Sequence, residues 1–170
     1  MANLFQDVIY LQIRRGWLSV VYLGWSGRKG EWSGTPSIVF YEDSKSKIQV
    51  YENCEGAPIS AVDKFTAFSH PRAFIDDYDK TLEALRLFLK KAGQRKPMRK
   101  SVFVVHCSDE WEGGLTQVEL RALLQLCKEL GAKKVLPVYA TRELSIPETL
   151  QLVREHRGGT IFTPIPLNLH

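Results

Sequence analysis

The residue types best suited to chemistry lie in four stretches of the chain. His106-Cys107-Ser108-Asp109-Glu110 brings together an imidazole, a thiol and carboxylates. Those are the groups of a thiol nucleophile with its base, or of a metal site. The apolar run before them places them at a strand end, where α/β enzymes often hold reacting groups. Neighbours along a strand point to opposite faces, so His106 and Cys107 do not pair readily, and no second histidine stands at ligand spacing. The plainer reading is a strand end entering a solvated loop.

Between Arg86 and Lys100 lie seven bases and no acid: Arg86, Lys90, Lys91, Arg95, Lys96, Arg99 and Lys100. Such a run suits nucleic acid or an anionic membrane surface. It equally suits a helix C-terminus, where the helix dipole favours cations, followed by a solvated loop. Trp25, Arg28, Lys29 and Trp32 stand in a glycine-rich stretch. Aromatic and basic residues in that setting can stack on single-stranded nucleic acid, and the alternative is a hairpin loop. Trp111 beside Gly113 and Gly114 is either an anchor for another protein or a lid folded over the core. The interaction candidates are therefore Trp111, Arg95, Lys96, Arg99 and Lys100.

The elements that must position these groups follow from periodicity. Residues 8–14 and 17–23 are β-branched and aromatic, with Arg15-Gly16 as a tight turn between them. Gly24 to Gly34 reads as a loop, Ser37 to Tyr41 as a strand opened by Pro36, and 47–52 as a further alternating strand. Residues 53–74 suggest only a short helix or loop. From Asp76 the period lengthens: Ile75, Tyr78, Leu82, Leu85, Phe88 and Leu89 mark an amphipathic helix stopped at Gly93. Residues 101–107 are almost continuously apolar, which predicts a strand covered on both faces. Thr116-Gln-Val-Glu119 is a capping box, and the helix it opens is expected to turn Val118, Ala122, Leu126 and Leu130 inward. A strand over 134–139, a helix over 147–156 and a last strand over 160–163 complete the order. Strands first, then alternating helix and strand, predict an α/β fold with a mixed sheet, an antiparallel meander joined to parallel strands and flanked by helices.

Composition sets the outer bounds. A chain of 170 residues that is 44% hydrophobic can bury a core, which argues against wholesale disorder. The net charge of +4 is too small to indicate a nucleic-acid protein by itself. Three cysteines, with no Cys-x-x-Cys, argue against a disulfide framework or zinc ribbon and for reduced thiols. No apolar run approaches the roughly 18–20 residues of a membrane span, and the acid at Asp7 argues against a signal peptide, so a cytoplasmic protein is expected.

Between 101 and 136 the sequence resembles a known family. Val102-Phe-Val-Val105, then Thr116-Gln-Val-Glu119, Arg121-Ala122 and Gly131-Ala-Lys-Lys-Val135 are similar to the bacterial rod-shape-determining MreB proteins, which are actin-like. Those have a hydrophobic strand, a Thr-Gln-Val-Glu-Arg-Arg-Ala helix start and a Gly-Ala-Arg turn. Thr35-Pro-Ser-Ile-Val39 looks like that family's Glu-Pro-Ser-Val-Val. The resemblance covers roughly residues 5–157 and implies an actin-like, ribonuclease H-like half-domain. It implies one domain over 1–170, with 40–72 as a small subdomain-like insertion, and the family's second large domain is not matched.

The same resemblance locates what has changed. Its ATPases grip phosphate between glycine-rich hairpins, the first carrying an Asp-x-Gly-Thr/Ser signature. Here that hairpin reads Leu11-Gln-Ile-Arg-Arg-Gly-Trp17, and no Asp or Glu occurs between Asp7 and Glu31. Arg14, Arg15 and Gly16 form a degenerate phosphate hairpin. The acidic Glu-Glu-Pro after the later strand is replaced by Tyr139-Ala-Thr141, and Trp111 lies in an apparent insertion. Phosphoryl transfer needs a carboxylate-held metal and an oriented water. The expectation is a protein that is not an enzyme, needs no cofactor, binds nucleotide weakly at most, and works through protein partners or self-association in the bacterial cytoskeleton or cell shape. The alternative is a module binding nucleic acid or an anionic surface through 86–100.

Overall fold

A computed structural model of the protein describes residues 6–42, 48–52, 63–94, 101–107, 115–138 and 142–155. Its first sheet is a mixed one of five strands. β1 (Val8–Arg14) and β2 (Trp17–Leu23) form the expected hairpin, and β3 (Lys29–Gly34) pairs antiparallel with β2. β7 (Ser101–Cys107) runs parallel to β1, and β8 (Ala132–Val138) runs parallel to β7, giving the order β3-β2-β1-β7-β8. A second sheet of three antiparallel strands, β5-β4-β6, is built from β4 (Ser37–Glu42), β5 (Ile48–Glu52) and β6 (Asp63–Thr66). The segment 40–72 overlaps this second sheet, whose first strand begins earlier, at Ser37.

Burial explains the order. Along β1, Ile9, Leu11 and Ile13 face one side and Val8 and Tyr10 the other, and both sets are buried. The first side meets α1 (Tyr78–Lys91) and α2 (Gln117–Glu129), which bring Leu82, Leu85, Phe88, Leu123 and Leu126. The second meets α3 (Ile146–Glu155), which brings Val153. β1 and β7 are central and covered on both faces, hence their unbroken apolar sequence. The second sheet joins the α1 side, through Ile38 and Phe65.

Five readings need correction. The strands from Ser37 onward do not continue the first meander but build the second sheet. Residues 29–34 are not loop but strand β3. They alternate half-buried and exposed positions at the sheet edge, so no apolar run advertises them. Residues 63–66 form β6 within the stretch read as helix or loop; only Phe65 of its four residues is buried. Helix α1 starts at Tyr78, because the Asp77 side chain accepts from the Lys80 N–H and caps it there. In α2, Val118 is 75% exposed and Ala122 half-buried, while Leu120, Leu123, Leu126, Cys127 and Leu130 are buried. Steps of four residues drift about 40° each around a 3.6-residue helix, so Val118 and Leu130 cannot share a face. The strand read over 160–163 lies outside the described residues.

Candidate functional site

The hairpin between β1 and β2 closes on Arg15-Gly16, with Arg14 opposite Trp17. Gly16 has φ of +67°, in the left-handed region that a two-residue hairpin turn requires and glycine enters freely. Its N–H donates to the carbonyl oxygen of Phe68 at 2.7 Å. Phe68 is itself left-handed, at φ of +58°, fully buried, and packed on Phe74 with ring centroids 5.2 Å apart. A non-glycine residue held there costs about 1–2 kcal/mol, which the surrounding packing must offset. The turn after β6 therefore caps the tip of the hairpin.

Arg14 is held from two sides. Its guanidinium lies 5.2 Å from the Trp17 ring centroid and donates to Glu143 Oε1 at 3.1 Å. With the Gln12 amide in the orientation its neighbours require, its nitrogen donates to Glu143 Oε1 at 2.9 Å and its oxygen accepts from Arg14 at 3.1 Å. Gln12 is almost fully buried and stands level with His106 of β7, also buried. One residue pair back, Tyr10 completes the group. Its hydroxyl accepts from the Leu144 N–H at 3.2 Å and lies 2.9 Å from His106 Nδ1. The hydroxyl therefore joins the β7 imidazole to the backbone before α3, and the direction of its bond to Nδ1 follows the histidine tautomer. Burial, above all, raises the Tyr10 phenol above its ordinary value. Gln12, Arg14, Tyr10, His106 and Glu143 thus form one polar cluster at the carboxyl end of the two central strands.

The other sequence candidates separate. Cys107 packs on the α1/α2 side of the sheet while His106 faces Tyr10 on the α3 side. Desolvation pushes the Cys107 thiol up to about 12, so it stays protonated and is a poor nucleophile. Among the described residues no group of three His, Cys, Asp or Glu could hold a metal ion. Trp32 is half-buried and stacked on Phe88, centroids 4.0 Å apart, and so is spent on the core. Arg86 is paired with Glu83. Trp25 is 58% exposed. Trp111, Arg95, Lys96, Arg99 and Lys100 lie outside the described residues, as does Tyr139-Ala-Thr141. Sequence reasoning passed over Gln12, Tyr10 and Glu143; the signal for the first two was polarity on one face of an otherwise apolar strand, and for Glu143 there was none.

No protein-family model matches this sequence, and no curated protein matches it. Solved structures do. The fold is similar to that of MreB5 of Spiroplasma citri bound to ADP, with a TM-score of 0.52 and 16% identity over 79% of this chain and 38% of that one. It is similar also to MreB 5 of the same organism bound to AMPPNP, with a TM-score of 0.55 and 15% identity over the same shares. The chain thus spans well under half the length of these proteins. The mixed sheet and its helices are those of an actin-like half-domain. Among the described residues, no helix is long and apolar enough to cross a membrane.

Proposed function

We propose that this chain is an actin-like domain that does not turn over nucleotide and acts in the bacterial cytoplasm through protein contacts, in the cytoskeleton or in control of cell shape. One observation carries the reading: the backbone amide at the tip of the β1–β2 hairpin, the group that would meet a phosphate, is spent on the Phe68 carbonyl. Three others support it. Arg14 and Trp17 stack where a phosphate hairpin needs small side chains. Arg14 is neutralised by Glu143. No carboxylate is available on either strand of the hairpin to place a metal ion. A magnesium nucleotide does not fit this set of groups, and no step is routed through one. The sequence motifs shared with the rod-shape family support the link to cell shape, and fold alone does not fix function.

The test is direct. The purified chain is titrated with magnesium ATP by calorimetry and assayed for phosphate release. It is then examined for self-association by sedimentation and for binding to a purified actin-like filament protein. Expected are no phosphate release above buffer, no tight nucleotide binding, and association in at least one of the two contact assays. Magnesium-dependent turnover would overturn the reading, as would the absence of any protein contact.

A further inference from the structure

At the far end of β1 from this hairpin, about 20 Å away at roughly 3.3 Å per strand residue, a groove of about 260 Å³ opens on the α3 side. Val8, Leu23 and Leu150 make its floor, and Trp25, Arg28 and Lys29 form its wall. Trp25 is exposed although the loop that carries it is fixed. The Gly24 N–H donates to the Arg28 carbonyl at 2.7 Å and the Gly27 N–H to the Gly24 carbonyl at 3.0 Å. The Trp25 N–H donates to Asp7 Oδ1 at 3.0 Å, and the other oxygen of that buried carboxylate accepts from the Tyr22 hydroxyl. An exposed indole carried over an aliphatic floor on a backbone fixed by these bonds leaves little loop entropy to be lost on binding, as suits an interface anchor.

Charge selects the occupant. Lys29 pairs with Glu31 at the surface, at 3.5 Å, whereas Arg28 has no ion pair among the described residues. Gln6 is the one uncharged polar side chain in a lining that is otherwise aliphatic, glycine, indole or basic, and the second indole of the region, Trp32, is stacked inside the fold and not available for a second base. Resting on the reading that this chain works through protein contacts, we infer that the groove docks an acidic segment of a partner protein. One large apolar side chain of that segment sits on Leu23 and Leu150 against Trp25, and flanking carboxylates meet Arg28 and Lys29.

The experiment is selection of a random peptide library displayed on phage against the full chain, followed by titration of the enriched peptides. The expected peptides carry an apolar residue flanked by Asp or Glu, and perturb tryptophan fluorescence. They lose at least about tenfold in affinity on Trp25→Ala and on Arg28→Glu, the loss of one interface anchor. Both side chains are on the surface, and an unchanged Tm shows that the variants fold. Arg121→Glu, exposed on α2 on the other side of the sheet, should leave the affinity unaltered. Enriched peptides without acids, or indifferent to Trp25→Ala, overturn the proposal while leaving the protein-contact reading intact. Binding of oligo(dT) that is lost on Trp25→Ala assigns the groove to nucleic acid instead. Peptide binding that appears only after residues 156–170 are removed assigns it to the chain's own end. ATP turnover, by contrast, would remove the protein-contact reading without touching the peptide result.

Discussion

Tyr10 shows how much a single polar atom supports. Its hydroxyl serves the His106 ring and the Leu144 N–H at once. Tyr10→Phe removes both partners and keeps the volume, so the cost is that of leaving buried polar groups unmade, about 2 kcal/mol in urea unfolding. Full wild-type stability would mean that water replaces the hydroxyl and the cluster is not closed. Two glycines make a sharper comparison. A methyl at Gly30 would sit 1.9 Å from the Ala92 carbonyl oxygen, a backbone atom that cannot step aside cheaply, so Gly30→Ala should cost at least about 2 kcal/mol. A methyl at Gly16 meets nothing within 4 Å, and only the positive φ opposes it, so Gly16→Ala should cost about 1 kcal/mol. Denaturant midpoints that put Gly16→Ala first would contradict the hairpin geometry. Gly16's place in a tight turn was legible in the sequence, but its bond to Phe68 was not, nor was the role of Gly30, which depends on a helix end distant in the chain. The opposite facing of His106 and Cys107 was legible, since it needs only the alternation of a strand.

Each helix carries its own start signal, and there the sequence is a good guide. Thr116 and Glu119 exchange hydrogen bonds as the capping box predicts, and Glu119 Oε1 also accepts from the Phe74 N–H, which no local pattern announces. At α3, Ser145 and Glu148 repeat the Ser-x-x-Glu arrangement, a signal present in the sequence and passed over. Partial burial pushes the Glu119 carboxyl upward, but hydrogen bonds from Phe74 and Thr116 outweigh it and hold it below its ordinary 4.5. Arg142, then Ser145, hold Glu148 lower still. Groups with depressed values stabilise fully above the ordinary value, and that stability is lost as pH falls through the folded one. Melting temperature should therefore drop on acidification below about 4.5, and Glu119→Gln should start lower and fall less steeply. Identical pH slopes for the two proteins would refute the coupling. Strands β3 and β6 escaped the sequence for a related reason: short or edge strands take their conformation from a partner, so local periodicity carries little of it.

For the molecule as a whole, the open question is whether the second sheet is a part or a partner of the first. Local pattern carried the order of strands and helices apart from β3 and β6, and with it the actin-like half-domain, but pairing partners are not local. The strands after Pro36 therefore looked like a continuation of one meander, when they build a separate sheet. The packing argues that the two sheets are one cooperative unit. Ile38 and Phe65 share a core with Leu85 and Phe88 of α1 and with Leu11 of β1. The Gly16 N–H reaches across to the Phe68 carbonyl, and Lys80 of α1 pairs with Asp63 of β6. Ile38 is fully buried in that core, so Ile38→Ala should cost about 2–5 kcal/mol through lost contacts and the cavity left behind. If the sheets unfold together, the whole transition shifts, tryptophan fluorescence and far-ultraviolet dichroism stay superimposed, and amide exchange quickens in β1 and β7 as much as in β4 and β6. If Ile38→Ala instead frees β4 and β6 while β1 and β7 keep their protection, the second sheet is an autonomous insertion, and the cap it places on the Gly16 amide can open without unfolding the rest.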